Sequence, residues 1–361
     1  MSSSHWVTRL TLHGRPYECV GGGEDDMPGI PRQWLDAIFY LYPSEKAALS
    51  SQRVGGSGFL MSMDPSPASG LPPAYGHLYA VTNQHNIDGG FTVLRVNTQA
   101  GQVDTLPLER KHWFPHPDND DIAVAPIGLN QTIFRFTFIP WEMAVAPDLF
   151  ETEDLSIGDE AFLLGRFVDR DGKTSNTPVL RFGSIAQVDG DPVFQKERGH
   201  YQDSILVEVR SLSGFSGSPV FAYRGARVGP GKDDPNEAVI IPQVGTRVYL
   251  LGVNWGSQPW TAPVKDEITD KDVNPSQYVR TPSGMAFVVP IWKLAAVLAD
   301  PFLVQAREAW EAMCMKEREQ EQSGVVLDAT KIEPSEYGRD QFMVDLDRVT
   351  RQKPDEPVPE G

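Results

Sequence analysis

"SLSGFSGSPVF", residues Ser211–Phe221, sets four serines and two glycines ahead of a short apolar run. Small turn residues and a proline at the first position of a strand produce such a pattern with no chemistry attached. A nucleophile produces it too. Ser216 would then sit on a tight loop, with the backbone N–H groups of its small neighbours free to hold an oxyanion. The stretch alone does not choose. A base for the serine, and a carboxylate to orient that base, have to come from elsewhere in the chain.

The chain has seven histidines, and all of them precede Ser216. That excludes the α/β-hydrolase order of serine, acid, histidine, and Ser218 also breaks the G-x-S-x-G elbow. In "HLYAVTNQHNI", His85 follows an apolar strand pattern and a small polar turn, where a side chain can face a cleft. In "HPDNDDIAVAPI", Asp121 opens the next apolar run, whereas Asp118 and Asp120 lie in the turn before it. "HWFPHPDNDD" offers His112 and His116 as metal ligands, but two prolines prevent one helical face and no second His/Cys cluster completes a zinc site. No metal or cofactor is implied.

Around these residues the chain is a succession of short apolar runs broken by turns, with 32 glycines and 30 prolines between them. "DAIFYLY", "GSGFLMSM", "HLYAVTN", "FTVLRVN", "DIAVAPI" and "FRFTFIPW" form a first group. "DEAFLLGRFV", "VLRFGSIAQV", "SILVEV", "SPVFAY", "RVYLLGVNW" and "MAFVVPIW" form a second. The pattern predicts an all-β protein of two packed β-barrels or sandwiches. "RGARVGPGKDDPNE" and "SQPWTAPVKDEITDKDVNPSQ" read as long loops. Asp300-Pro301 is an N-cap and first helical residue, and Leu303, Ala306, Trp310, Met313 and Cys314 recur at helical spacing behind it. The expected organisation is an N-terminal extension over 1–34, a first barrel over 35–147, a second over 148–300, a helix over 301–322 and a polar tail over 323–361.

In this order the motifs resemble those of trypsin-like (chymotrypsin-fold) serine proteases, with the texture of the Deg/HtrA branch and no PDZ-like module, which implies two packed antiparallel β-barrels. "GSGFLMS" is similar to the strand leading to the histidine, "VTNQHNI" to the histidine motif and "DIAVAPI" to the aspartate motif. "LSIGDEAFLLGRF" resembles the first strand of the second barrel, and "GFSGSP" the serine motif. "LLGVNWG" resembles the strand that pairs with substrate, and "GMAFVVPIWKLAAVL" the last strand entering a helix. The resemblance implies a triad of His85, Asp121 and Ser216 and an oxyanion hole from the amides of Gly214 and Ser216. It implies a substrate strand laid on Asn254, Trp255 and Gly256, and Arg210 at the base of the primary pocket, favouring acidic side chains. Asp266, Glu267, Asp270 and Asp272 would pull towards basic substrates instead. Three positions depart from the family pattern. Ser218 stands where glycine is commoner, adding a hydroxyl beside the nucleophile, and Gln84 precedes the histidine. Phe215, next to the nucleophile, offers no carboxylate to a new N-terminal ammonium, so packing of Phe215 or a partner would have to set the oxyanion loop.

The formal net charge of −17 argues against nucleic acid or an anionic membrane as partner. The opening "MSSSHWVTRLTLHGRPYE" has no apolar core of a secretory signal, and no run is long enough to span a membrane. Two cysteines, Cys19 and Cys314, suit a reducing cytoplasm. The expected partners are a protein or peptide substrate and a regulatory protein. Two other readings stay open: a catalytically silent protease-like binding module, and an esterase using the same residues.

Overall fold

The computed structural model describes residues 30–53, 55–151, 155–167, 172–209, 214–223, 227–230, 238–241, 248–267, 276–322 and a few positions between 269 and 274. Strands β1 (Ile38–Tyr42), β2 (Ser57–Met63), β3 (His77–Thr82), β4 (Val93–Asn97), β5 (Val103–Pro107), β6 (Phe114–Pro115), β7 (Ala123–Pro126) and β8 (Ile139–Pro140) make one sheet. Its order is β5-β4-β1-β2-β3-β7-β6, and β8 adds to β2 in parallel through Met61 and Ile139.

β1 is buried at every position, which explains why "IFYLY" shows no polar alternation. Phe39 and Leu41 face one core with Leu60, Leu94 and Trp113. Ile38, Tyr40 and Tyr42 face the opposite way, into a second cluster that continues to Phe162 and Phe221. The sheet is thus sandwiched between its own core and the rest of the molecule.

The second half contributes β9 (Glu160–Gly165), β10 (Val179–Gln187), a hairpin of β11 (Val193–Gln195) and β12 (His200–Gln202), and β13 (Ile205–Glu208). β14 (Ser218–Tyr223), a hairpin of β15 (Arg227–Pro230) and β16 (Ala238–Ile241), β17 (Val248–Pro263) and β18 (Tyr278–Pro290) follow. Six of these close into a barrel, β10-β13-β18-β17-β14-β9. The first group of strands, expected as a barrel, is an open, strongly buried sheet; the closed barrel and C-terminal helix that follow it agree with a trypsin-like fold.

Three segments differ from the sequence reading. "FRFTFIPW" forms strand only at Ile139–Pro140, and its pairing is parallel. "RGARVGPGKDDPNE" is not all loop, because β15 pairs with β16. The first third of "SQPWTAPVKDEITDKDVNPSQ", Ser257–Pro263, is ladder: β17 and β18 stay paired as far as Pro263 and Tyr278. Pro259 and Pro263 look like strand breakers, yet past Trp255 β17 pairs, among the described residues, only with β18, and a strand with one open edge tolerates proline.

The C-terminal helix, Pro301–Gln322, begins where its cap predicts. Asp300 Oδ1 accepts from the Phe302 amide at 2.9 Å. Glu311 and Arg307 dock the helix on β3: His77 Nε2 lies 2.9 Å from Glu311 Oε1, and Arg307 donates to the Tyr79 hydroxyl at 3.0 Å. The first 29 residues, with Cys19, and the 323–361 tail lie outside the described residues.

Candidate active site

β3 and β7 run antiparallel as neighbours, with Thr82 opposite Ala123. The end of one strand therefore lies beside the approach to the other. His85 sits in the helical turn Gln84–Asp88 just beyond β3, and Asp121 two residues ahead of β7. His85 Nδ1 and Asp121 Oδ2 are 2.6 Å apart, and the His85 amide donates to Asp121 Oδ1 at 2.9 Å. The Asn83 side chain ties the same turn to the Asp121 carbonyl at 2.8 Å. Asp121 is fully buried, while a quarter of the His85 side chain is exposed. Burial pushes the Asp121 carboxyl up, but the His85 ring and amide and the Gln195 amide outweigh it, holding the carboxyl below its ordinary range. Gln84, the bulky residue before His85, is accommodated within its own turn by donating to Asp88 Oδ1 at 2.8 Å.

Ser216 approaches from the other half of the molecule. Its carbonyl accepts from the Ser57 amide at the head of β2 at 2.7 Å, and from Asn86 Nδ2, one residue past His85, at 3.4 Å. The Gly214 carbonyl accepts from Ser57 Oγ at 3.1 Å, and the Phe215 carbonyl from Asn254 Nδ2 at 3.0 Å. Gly217, at φ +85°, leaves only 1.9 Å between the position of a Cβ and the Ser57 carbonyl oxygen, so no side chain fits. Every carbonyl of Gly214–Ser216 is thus fixed. By contrast, the amides of Gly214 and Ser216 make no hydrogen bond among the described residues.

Phe215 is fully buried, with the Arg181 guanidinium 5.5 Å from its ring centre. The Ser218 hydroxyl is buried without a hydrogen-bond partner among the described residues and faces Gly165, so it makes no bond to Ser216. The Ser216 hydroxyl donates to the Trp255 carbonyl at 3.4 Å and makes no hydrogen bond to His85.

Trp255 occupies a register shift of β17, between Asn254 opposite Val288 and Gly256 opposite Phe287. Its indole stacks on Phe287 at 5.0 Å and donates to Ser204 Oγ at 3.0 Å. Asn254 is paired on both sides, to Ser218 and to Val288, so the open edge of β17 begins at Trp255. Arg210, Asp270 and Asp272 lie outside the described residues; Asp266 and Glu267 are exposed.

Sequence reasoning did not find the β11–β12 hairpin, which reaches across to the histidine side. Gln195 Nε2 donates to Asp121 Oδ2 at 2.6 Å, and Gln202 Oε1 accepts from the Asp121 amide at 2.7 Å. Gln202 Nε2 donates to Asp120 Oδ1 at 2.7 Å. Lys293 closes the group, 3.2 Å from Asp120 and 2.7 Å from Asp203. Burial works against its ammonium, but the two carboxylates outweigh it and hold its pKa above the usual value. The available signal was "VFQKERGHYQ", apolar–polar alternation around an Arg-Gly turn with Gly199 at φ +61°. His112 and His116 have local roles: their Nδ1 atoms accept from the amides of Glu109 and Asp118 at 2.9 and 3.1 Å.

No protein-family model matches the chain, and no curated protein does. Among solved structures it is similar to the MamO protease domain from Magnetospirillum magneticum, at 14% identity and a TM-score of 0.40 over 74% of this chain and 99% of that one. It is also similar to the HtrA-type protease AlgW with a decapeptide, at 15% identity and a TM-score of 0.37 over 74% and 65%. Rv3671c from M. tuberculosis aligns at 13% identity and a TM-score of 0.36 over 74% and 87%. Similarity at this level adds nothing to the strand pairings above, on which the fold rests.

Proposed function

We propose that this protein is a serine endopeptidase working through His85, Asp121 and Ser216. The observation that supports it most is the buried Asp121 carboxylate, which receives both the ring Nδ1 and the amide of His85. With the proton on Nδ1 donated to Asp121, Nε2 is left as an acceptor, the tautomer a general base needs. Ser216 Oγ would attack the scissile carbonyl carbon and pass its proton to His85 Nε2. The imidazolium, steadied by Asp121, would then return that proton to the leaving amine, and water would cleave the acyl-enzyme by the same route. The amides of Gly214 and Ser216, which make no hydrogen bond among the described residues, would supply oxyanion donors, each worth about 3 kcal/mol. An extended peptide would add to the open edge of β17 from Trp255 onwards. We place this activity in the cytoplasm, where the two cysteines would stay reduced. No helix among the described residues is long and apolar enough to cross a membrane.

One observation favours a second reading, a silent binding module: the Ser216 hydroxyl is turned to the Trp255 carbonyl and not to His85. Labelling with a fluorophosphonate, alongside peptide hydrolysis, separates the two. The endopeptidase reading expects labelling in the native protein, none in Ser216→Ala, and cleavage of peptides as well as esters. Labelling with ester hydrolysis alone would leave an esterase. No labelling, or labelling that survives Ser216→Ala, would sink the mechanism.

A further inference from the structure

We propose that Gln195 is a positioning residue for Asp121, its side-chain amide carried across the cleft on the β11–β12 hairpin to fix how the carboxylate faces His85. The inference rests on the catalytic reading above for its meaning, though not for its test. Asp121 Oδ2 receives two donors at 2.6 Å, His85 Nδ1 and Gln195 Nε2. Oδ1 receives the His85 amide and lies 3.7 Å from the Arg198 guanidinium, at the turn of the same hairpin. The carboxylate is wholly excluded from solvent, so no water can replace a lost donor.

The orientation of the amide is dictated by its partner. A flipped Gln195 would set Oε1, an acceptor, 2.6 Å from a carboxylate oxygen. Nε2 therefore faces Asp121, while Oε1 is buried with no hydrogen-bond partner. An orphaned acceptor is a cost that the bond to the carboxylate has to offset. The hairpin presents the amide by strand alternation. Gln195 and Gln202 point inward and are buried, whereas their neighbours Phe194 and Tyr201 point outward, 51% and 65% exposed, with ring centres 5.0 Å apart.

With His85 as its only close donor, Asp121 would be anchored by the very group it has to orient. Gln195 supplies a reference point outside the pair. It also draws off part of the carboxylate's charge, so losing it leaves a carboxylate that binds the imidazolium more tightly but holds it less squarely.

Gln195→Met keeps the length and volume of the side chain and removes the donor. The expected result is a fall of roughly 10- to 100-fold in the fluorophosphonate labelling rate, with the acid limb of its pH profile moved to higher pH. Phe194→Ala loosens the outer face of the hairpin without touching Asp121, and should change neither. Equal losses in both variants with an unmoved acid limb would mean that only hairpin integrity matters and would overturn the proposal. So would native behaviour in Gln195→Met. Should the native protein not label at all, the protease reading fails, and NMR titration of the His85 ring still decides this inference. A higher midpoint in Gln195→Met supports it, and identical midpoints overturn it. Should Gln195→Met fold poorly, Gln195→Asn, a methylene too short to reach, takes the same measurements with the same expected outcomes.

Discussion

The histidine side and the serine side of the cleft differ in how much of their hydrogen-bonding capacity is already used. Asp121 is sealed, with both oxygens engaged by His85 and Gln195 and its amide and carbonyl held by Gln202 and Asn83. The Ser216 loop has its carbonyls pinned by Ser57 and Asn254, yet among the described residues the amides of Gly214 and Ser216 make no hydrogen bond and the Ser216 hydroxyl meets the Trp255 carbonyl at 3.4 Å. A buried carboxylate left short of donors would take up a proton, so the first side has to be completed by folding. On the proposed mechanism the second side is left unfinished because donors for an oxyanion have to stay open for substrate.

The sharpest test of this contrast is Asp121→Asn. An asparagine cannot satisfy what now surrounds the carboxylate. If its NH2 faces the His85 ring, Nδ1 must accept and the proton moves to Nε2, which can then no longer take the serine's. If the NH2 is turned the other way, it meets the His85 amide donor. Labelling and hydrolysis should drop by about 10⁴-fold. A loss under about tenfold would mean that the carboxylate does not set the tautomer.

On the serine side, Phe215→Ala should empty a fully buried site under the oxyanion loop and cost about 3–5 kcal/mol. Denaturant melts should find the loss, and the labelling rate should fall with it if Phe215 holds the loop. Full labelling at native stability would show that the loop is set by something else. Gly217→Ala is the next step down. Its Cβ would meet the Ser57 carbonyl at 1.9 Å and Thr82 Oγ1 at 2.4 Å, prising Ser216 from the head of β2. About 1–3 kcal/mol is expected. The matched change Gly199→Ala, where φ is +61° but nothing lies within 4 Å, should cost less. Equal costs would assign the effect to backbone strain alone.

What could be read in the sequence divides along the same line. His85, Asp121 and Ser216 each stand within three residues of a strand end, bounded by turn residues, so local pattern singled them out as candidates, and the structure brings His85 and Asp121 together. The helix start at Asp300-Pro301 was legible because capping is local. Gln195 was not, because its partner is 74 positions away and nothing in "VFQ" distinguishes an inward amide from a surface one. The extent of β17 was misread for a related reason: proline is excluded only where a strand needs donors on both edges, and edge status is a tertiary fact. The turn of the Ser216 hydroxyl towards Trp255 is a rotamer, and no residue pattern encodes it.

The smallest effect belongs to the docking of the C-terminal helix on the histidine side. His77 and Glu311 meet at 2.9 Å with both side chains largely buried. Burial lowers the His77 pKa from 6.5, and the nearby Glu311 carboxylate only partly restores it. The folded protein therefore binds this proton less readily than the unfolded chain does. Below the ordinary histidine value the unfolded state takes up more protons, so stability falls as the pH falls. The contribution of His77 is complete above 6.5 and is lost as the pH drops through its depressed folded value. His77→Gln retains an amide that can donate to Glu311 but does not titrate. Thermal melts from about pH 7.5 down to about pH 5 should show the native protein losing more Tm than the variant. His116, also lowered by burial, is present in both proteins, so the difference between the two curves isolates His77. Parallel curves would mean that His77 binds its proton equally well folded and unfolded.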